Sequence, residues 1–209
     1  MSVLNRIAYL QHRRDEVPNQ ELAHDLAARK DRRGIQEIAK NLWNKDRNIQ
    51  ADCIKVLYET GYIDGALVAD YAEDFVKLLK SKNNRLVWGG MIALSTVAAL
   101  KADVVLTHLA EIKSAMKDGS VITVDGAVLA LARAASKGER HRKAMLPLLL
   151  THLKTCRPKD VPQHSEKALV AVNSASKKAF IAVLQKRLDD LSGSGLARVK
   201  KVIAKAQDL

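Results

Sequence analysis

Few side chains in this sequence are of types and spacings that do chemistry. His152 and Cys156 stand four residues apart, a spacing that puts an imidazole and a thiol on one helix face, where they could share a metal ion. No third ligand is evident at a linear spacing, so both are expected to pack and no metal is expected. His12, His24, His108, His141 and His164 are scattered and take no catalytic role. No glycine-rich phosphate loop, HExxH helix, GxSxG turn or CxxC pair occurs, which excludes the enzymes that carry such signatures. A non-enzymatic protein without a cofactor is expected. Cys53 and Cys156 are too few for a disulfide framework and should stay reduced.

Charge is the other chemical resource. The net charge of +12 is unevenly spread: residues 1–81 hold 13 Lys+Arg against 13 Asp+Glu, whereas residues 138–209 hold 15 against 6. Arg198, Lys201 and Lys205 recur at i, i+3 and i+7, flanked by Lys200 and opposite the apolar Val199, Val202 and Ile203. Such a stripe could follow phosphates electrostatically, or serve only as the polar cap of a terminal helix.

The elements that must carry these groups read as helices throughout. Aromatics are 4% of the chain and prolines number four. The stretch Asn83 to Ala99 is almost wholly small or apolar after Arg85, as in a helix buried on several sides. It recurs: Asp46 to Gly61 aligns with it at an offset of 37 residues, and a further 37 brings Ala127, Ala130 and Leu131 to the same places. Between these lie predicted helices over Asp31 to Trp43, Ala66 to Lys80 and Val104 to Lys117. Arg140 to Thr155, Gln163 to Asn173, Lys177 to Leu191 and Leu196 to Gln207 follow the third repeat. Ahead of the array, Val3 to Arg14 reads as a helix, and Asn19 as the cap of another. Two parts are therefore expected, an N-terminal helical extension over residues 1–30 and a repeat array over 31–209.

Paired helices at this period mark α-solenoids. The inner stretches Val87-x-x-x-Met91-x-Ala93-Leu94 and Val124-x-x-Ala127-x-x-Ala130-Leu131 resemble HEAT-repeat proteins over about residues 31–209. The resemblance implies an all-α, right-handed α-solenoid of about four to five antiparallel helix pairs, armadillo-like in architecture. On a helical wheel Gly90, Ala93, Leu94 and Val97 form the seam toward the outer helices, and Gly89 faces a neighbouring inner helix. Trp88, Arg85 and Ile92 fall on the opposite side, which in a solenoid lines the concave groove. In the same register the neighbouring repeats offer Arg47, Lys55 and Tyr58 before Trp88, and Asp125 and Lys167 after it. Trp88 with these residues could stack a planar or cationic group beside a carboxylate, or merely cover the seam.

The chain also resembles, at the level of fold, the alkylpurine DNA glycosylases related to bacterial AlkD, which are basic and built from HEAT-like repeats. Trp88 matches one of that family's groove tryptophans. The family's acid would stand one turn later, where this chain has Ile92; Asp125 stands where the resemblance implies a basic residue, and Trp43 lies on an outer helix. The expected function is a macromolecule-binding scaffold with a protein partner. Nucleic-acid binding through the basic C-terminal third is the alternative, and glycosylase activity a third reading. No run approaches the roughly 18 uncharged apolar residues of a membrane span, so a cytoplasmic location without a membrane partner is expected.

Overall fold

The computed structural model describes residues 2–209, and among them twelve α-helices linked by 3-10 turns make up the regular structure, with no strand. The chain forms two compact units, the first ending at Ala127 and the second spanning Val128–Leu209.

In the first unit, α1 (Val17–Ala28), α3 (Arg47–Ile63) and α5 (Asn84–Val97) lie side by side as a layer. Helix α2 (Arg32–Lys40) backs onto α3, and α4 (Ala72–Leu78) onto α5. Helices α6 (Ala102–Thr107) and α7 (Leu109–Asp118) follow, and the division between units falls within α8 (Val121–Ala135). Three helix starts are fixed by side-chain caps. Asp31 accepts the Gly34 N–H at 2.9 Å, Asp46 that of Asn48 at 2.8 Å and Asn83 that of Arg85 at 3.1 Å, each satisfying an amide that has no partner within its helix.

The apolar middle of α5 is buried as the repeat implies, with Met91, Ala93, Leu94 and Val97 all at 0% exposure. Its paired glycines let two neighbours approach. A Cβ on Gly89 would stand 2.9 Å from Ile54 of α3, and one on Gly90 would stand 2.9 Å from both the Phe75 carbonyl oxygen and Leu78 Cβ of α4. Helix propensity alone predicts that Gly90→Ala gains about 1 kcal/mol. Because the obstacle includes a backbone oxygen, we expect the opposite sign, a net loss of about 1–2 kcal/mol from overpacking, read as a lowered urea midpoint.

The N-terminal segment departs from the sequence expectation. Val3 to Arg14 is not one helix but two 3-10 turns, Leu4–Arg6 and Tyr9–Gln11, closed by His12 in the left-handed region. Side chains distant in sequence take the amides a helix would use. Glu37 accepts from Val3 and Leu4, Asn19 from Ala8 at 3.0 Å, and Asp52 from Tyr9 at 2.7 Å. Asn19 is accordingly no cap; it is buried in the first turn of α1 and holds the preceding segment. Burial pushes the Glu37 carboxyl up, but the Ser2 hydroxyl and the two amides outweigh it and hold the group below its usual value.

Two outer helices are also shorter than expected. Ala66 to Lys80 opens as 3-10 turns at Gly65–Leu67 and Ala69–Tyr71, where Gly65 passes so close to α5 that a Cβ would lie 2.8 Å from the Thr96 carbonyl oxygen. Val104 to Lys117 breaks at His108, whose ring lies 2.7 Å from a Glu73 oxygen and 3.4 Å from a Glu111 oxygen.

In the second unit α9 (Glu139–Thr155) packs on α10 (Val161–Ala168) and α11 (Lys177–Gln185), and both α10 and α11 pack on α12 (Gly193–Gln207). Met145, Leu149, Phe180, Leu184 and Val199, all at 0% exposure, form its core. Helix α9 continues through Pro147. The stretch predicted as one helix from Lys177 to Leu191 stops at Gln185, because Arg187 turns inward to the end of α9.

Candidate binding surfaces

On the layer of the first unit, Trp88 of α5 is half-buried and its ring lies 6.3 Å from that of Tyr58 on α3, tilted by 55°. Tyr58 in turn meets the exposed Tyr62 edge-on at 5.9 Å. The adjacent turns of α3 and α5 thus build an aromatic strip whose open members are Trp88 and Tyr62. Tyr58 itself is buried, which pushes its hydroxyl above its ordinary pKa against the opposing pull of Lys55.

Lys55 joins this cluster from beneath. It is 8% exposed, and its ammonium sits 2.7 Å from Glu16, 2.7 Å from Glu59 and 5.0 Å from the centre of the Tyr58 ring. Burial alone would depress its pKa, but the two carboxylates reverse that and hold it above the usual lysine range. Arg85 is exposed, with Glu16 at 3.8 Å. It lines a cavity of about 300 Å³ together with Arg13, Arg14, Glu16, Asn48 and Asp52. Asp125 is half-buried on α8. The structure therefore brings Lys55, Tyr58, Arg85 and Trp88 into one region. Arg47 stands elsewhere, beside the exposed Trp43 with Lys77, Lys80 and Lys82 around a separate cavity of about 310 Å³.

The second unit carries the net charge. Residues 128–209 hold 17 Lys+Arg against 6 Asp+Glu, a net +11 of the chain's +12. Of the predicted stripe, Arg198, Lys201 and Lys205 line one cavity of about 310 Å³ between α10 and α12, floored by Leu169 and Val202. Glu166 stands among them and takes the Arg198 guanidinium in a two-point bond of 2.8 and 2.6 Å. That bond, opposed by partial burial and assisted by Lys205 and Lys201, holds the Glu166 carboxyl below its ordinary pKa. Arg198 is thus already engaged, while Lys201 and Lys205 are exposed and make no salt bridge among the described residues. Lys200 is exposed on α12 outside this cavity, and Lys167 is half-buried on α10.

A third group of metal-ligating type, which no linear spacing shows, stands beside His152 and Cys156. His164, in the first turns of α10, brings its Nδ1 within 2.9 Å of His152 Nε2, and the ligand atoms of His152, Cys156 and His164 all lie within 4.8 Å of one another. Burial, and then the neighbouring His164, lower the His152 pKa to about 4, so its ring is neutral at ordinary pH. Burial raises the Cys156 thiol against the pull of Arg187. Arg187 was not distinguished by the sequence pattern. It is buried, donates to the carbonyls of Leu153 at 2.6 Å and Cys156 at 2.8 Å, and meets Asp190 at 2.6 Å, so it closes the open end of α9.

No helix among the described residues is long and apolar enough to cross a membrane. No protein-family model matches the chain, and no curated protein does. Solved structures do. One engineered protein from a structural-genomics consortium covers 100% of this chain and 98% of its own at 19% identity, with a TM-score of 0.67. Another covers 100% of both chains at 18% identity and a TM-score of 0.68. A designed armadillo repeat protein in complex with a (KR)4 peptide covers 90% of this chain and 85% of its own at 14% identity, with a TM-score of 0.69. At these identities the likeness is one of fold, and the chain has the fold of an all-α, armadillo-like helical solenoid.

Proposed function

We propose that the chain is a non-enzymatic binding module for an acidic, extended protein segment, with one contact surface in each unit. The observation that carries this reading is the concentration of the net positive charge, +11 of +12, in residues 128–209, where carboxylates are few, on a repeat fold. A designed protein of similar fold is solved with a strongly basic peptide; a +11 unit favours the opposite sign of ligand. The cavity between α10 and α12 sets apolar Leu169 and Val202 beside Lys201 and Lys205. Apolar floor and cationic rim together suit a peptide with alternating acidic and apolar side chains better than a bare phosphate backbone. In the first unit the Trp88 and Tyr62 rings add a place for apolar side chains to stack.

The two tryptophans make the second surface testable alone. Trp43 is 53% exposed, so Trp43→Phe leaves Trp88 as the single indole with little disturbance. In that background, titration with a peptide alternating glutamate and leucine should shift Trp88 emission to the blue. Trp88→Ala should weaken binding about tenfold, a typical cost for an aromatic anchor, and Trp88→Phe much less. Unchanged emission at a peptide concentration that saturates the protein would remove Trp88 from the binding surface.

A further inference from the structure

We propose that His152, Cys156 and His164 form a binding site for one borderline transition-metal ion, zinc(II) foremost, with a fourth position open to solvent. Two elements of the same compact unit build it. The last turns of α9 put His152 and Cys156 on one face, four residues apart, and the start of α10 returns His164 against them after a loop of only a few residues.

The facing atoms are the ones a metal would use. His152 Nε2 and His164 Nδ1 point at each other at 2.9 Å, with ring centres 4.9 Å apart and planes inclined by 47°. Metal–nitrogen bonds of about 2.0–2.1 Å and a metal–sulfur bond of about 2.3 Å, at tetrahedral angles, need ligand atoms roughly 3.3–3.6 Å apart. The imidazoles must therefore part slightly. The thiol, within 4.8 Å of both nitrogens, approaches by about 1.2 Å at most, a movement within reach of side-chain rotation. The backbone beneath is fixed, because Arg187 clamps the carbonyls of both Leu153 and Cys156.

Donor type selects the ion. One thiolate and two imidazoles suit zinc, cobalt, nickel or copper, and exclude magnesium and calcium, which take oxygen ligands. On ligation the Cys156 proton passes to solvent, and the hydrogen bond between the histidines is exchanged for two metal–nitrogen bonds. Without a metal, the same geometry is a hydrogen-bonded histidine pair with the cysteine as a bystander. The two cases differ in what Cys156 does.

The experiment uses the full chain, stripped with a chelator and kept reduced. Cobalt(II) should bind one equivalent and give the visible bands of a tetrahedral ion together with a thiolate-to-cobalt charge-transfer band, and zinc(II) should displace it. Cys156→Ser should abolish the charge-transfer band and weaken zinc binding about 100-fold or more, since losing even an outer-shell partner costs about 10–100-fold. Because Cys156 is half-buried and serine nearly isosteric, this variant should keep its metal-free thermal midpoint, and His152→Gln provides a second ligand deletion. Absence of a thiolate band in the parent chain, or a band that survives Cys156→Ser, would overturn the proposal.

Discussion

Replacing Arg187 with methionine is expected to cost about 3–5 kcal/mol of stability, the range for removing one member of a buried charged network. The cost arises mainly at the carbonyls. Asp190, whose side chain is 46% exposed, can turn to water when the guanidinium goes. Leu153 O and Cys156 O lie at the end of α9, where no helical N–H follows to satisfy them, and each unsatisfied group costs about 1–3 kcal/mol. For a chain of 209 residues the thermal midpoint should fall by roughly 10 °C. Arg187→Lys retains the charge but not the forked donor that reaches both carbonyls, and should fall between the two. A loss below about 1 kcal/mol in the methionine variant would mean that solvent replaces the guanidinium, and the clamp on α9 would then not be a structural requirement.

The second large effect concerns binding. Changing Lys200, Lys201 and Lys205 together to glutamine should weaken an acidic peptide about tenfold at low salt, with each exposed charge contributing about 0.2–1 kcal/mol. Stability should change little, because these side chains are exposed and make no salt bridge among the described residues. Glu166→Gln supplies the opposite sign. It frees the Arg198 guanidinium and removes the one carboxylate that lines the cavity, so affinity for the peptide should rise. The ion pair it breaks is nearly half exposed on both sides, and its loss should cost at most about 1 kcal/mol of stability. A variant pair that moved affinity in the same direction would show that charge at this cavity is not what the ligand senses.

What the sequence could show follows the range of each interaction. The glycines of α5 were readable, because their helical spacing assigns each to a neighbour. The N-terminal turns were not readable, because the amides of Val3, Ala8 and Tyr9 are taken by Glu37, Asn19 and Asp52 from other parts of the chain. Lys55 shows the same limit on the candidate site. The wheel places it on the open side of α3, but α1 packs against that helix and brings Glu16 onto its ammonium. His164 joins His152 only across the turn between α9 and α10, so no helical spacing could reveal it. Its place just after Val161-Pro162, at a helix start facing the end of the preceding helix, was the available signal.

Whether the basic unit takes an acidic protein segment is decided by setting such a segment against a nucleic acid. Fluorescently labelled acidic peptide and single-stranded DNA of matched length and charge are titrated with the full chain across a salt series. The peptide should bind more tightly than the DNA at every salt concentration, with an affinity that falls as salt rises. Binding of neither ligand at low salt, or DNA bound as tightly as the peptide or more so, would contradict an acidic segment as its ligand.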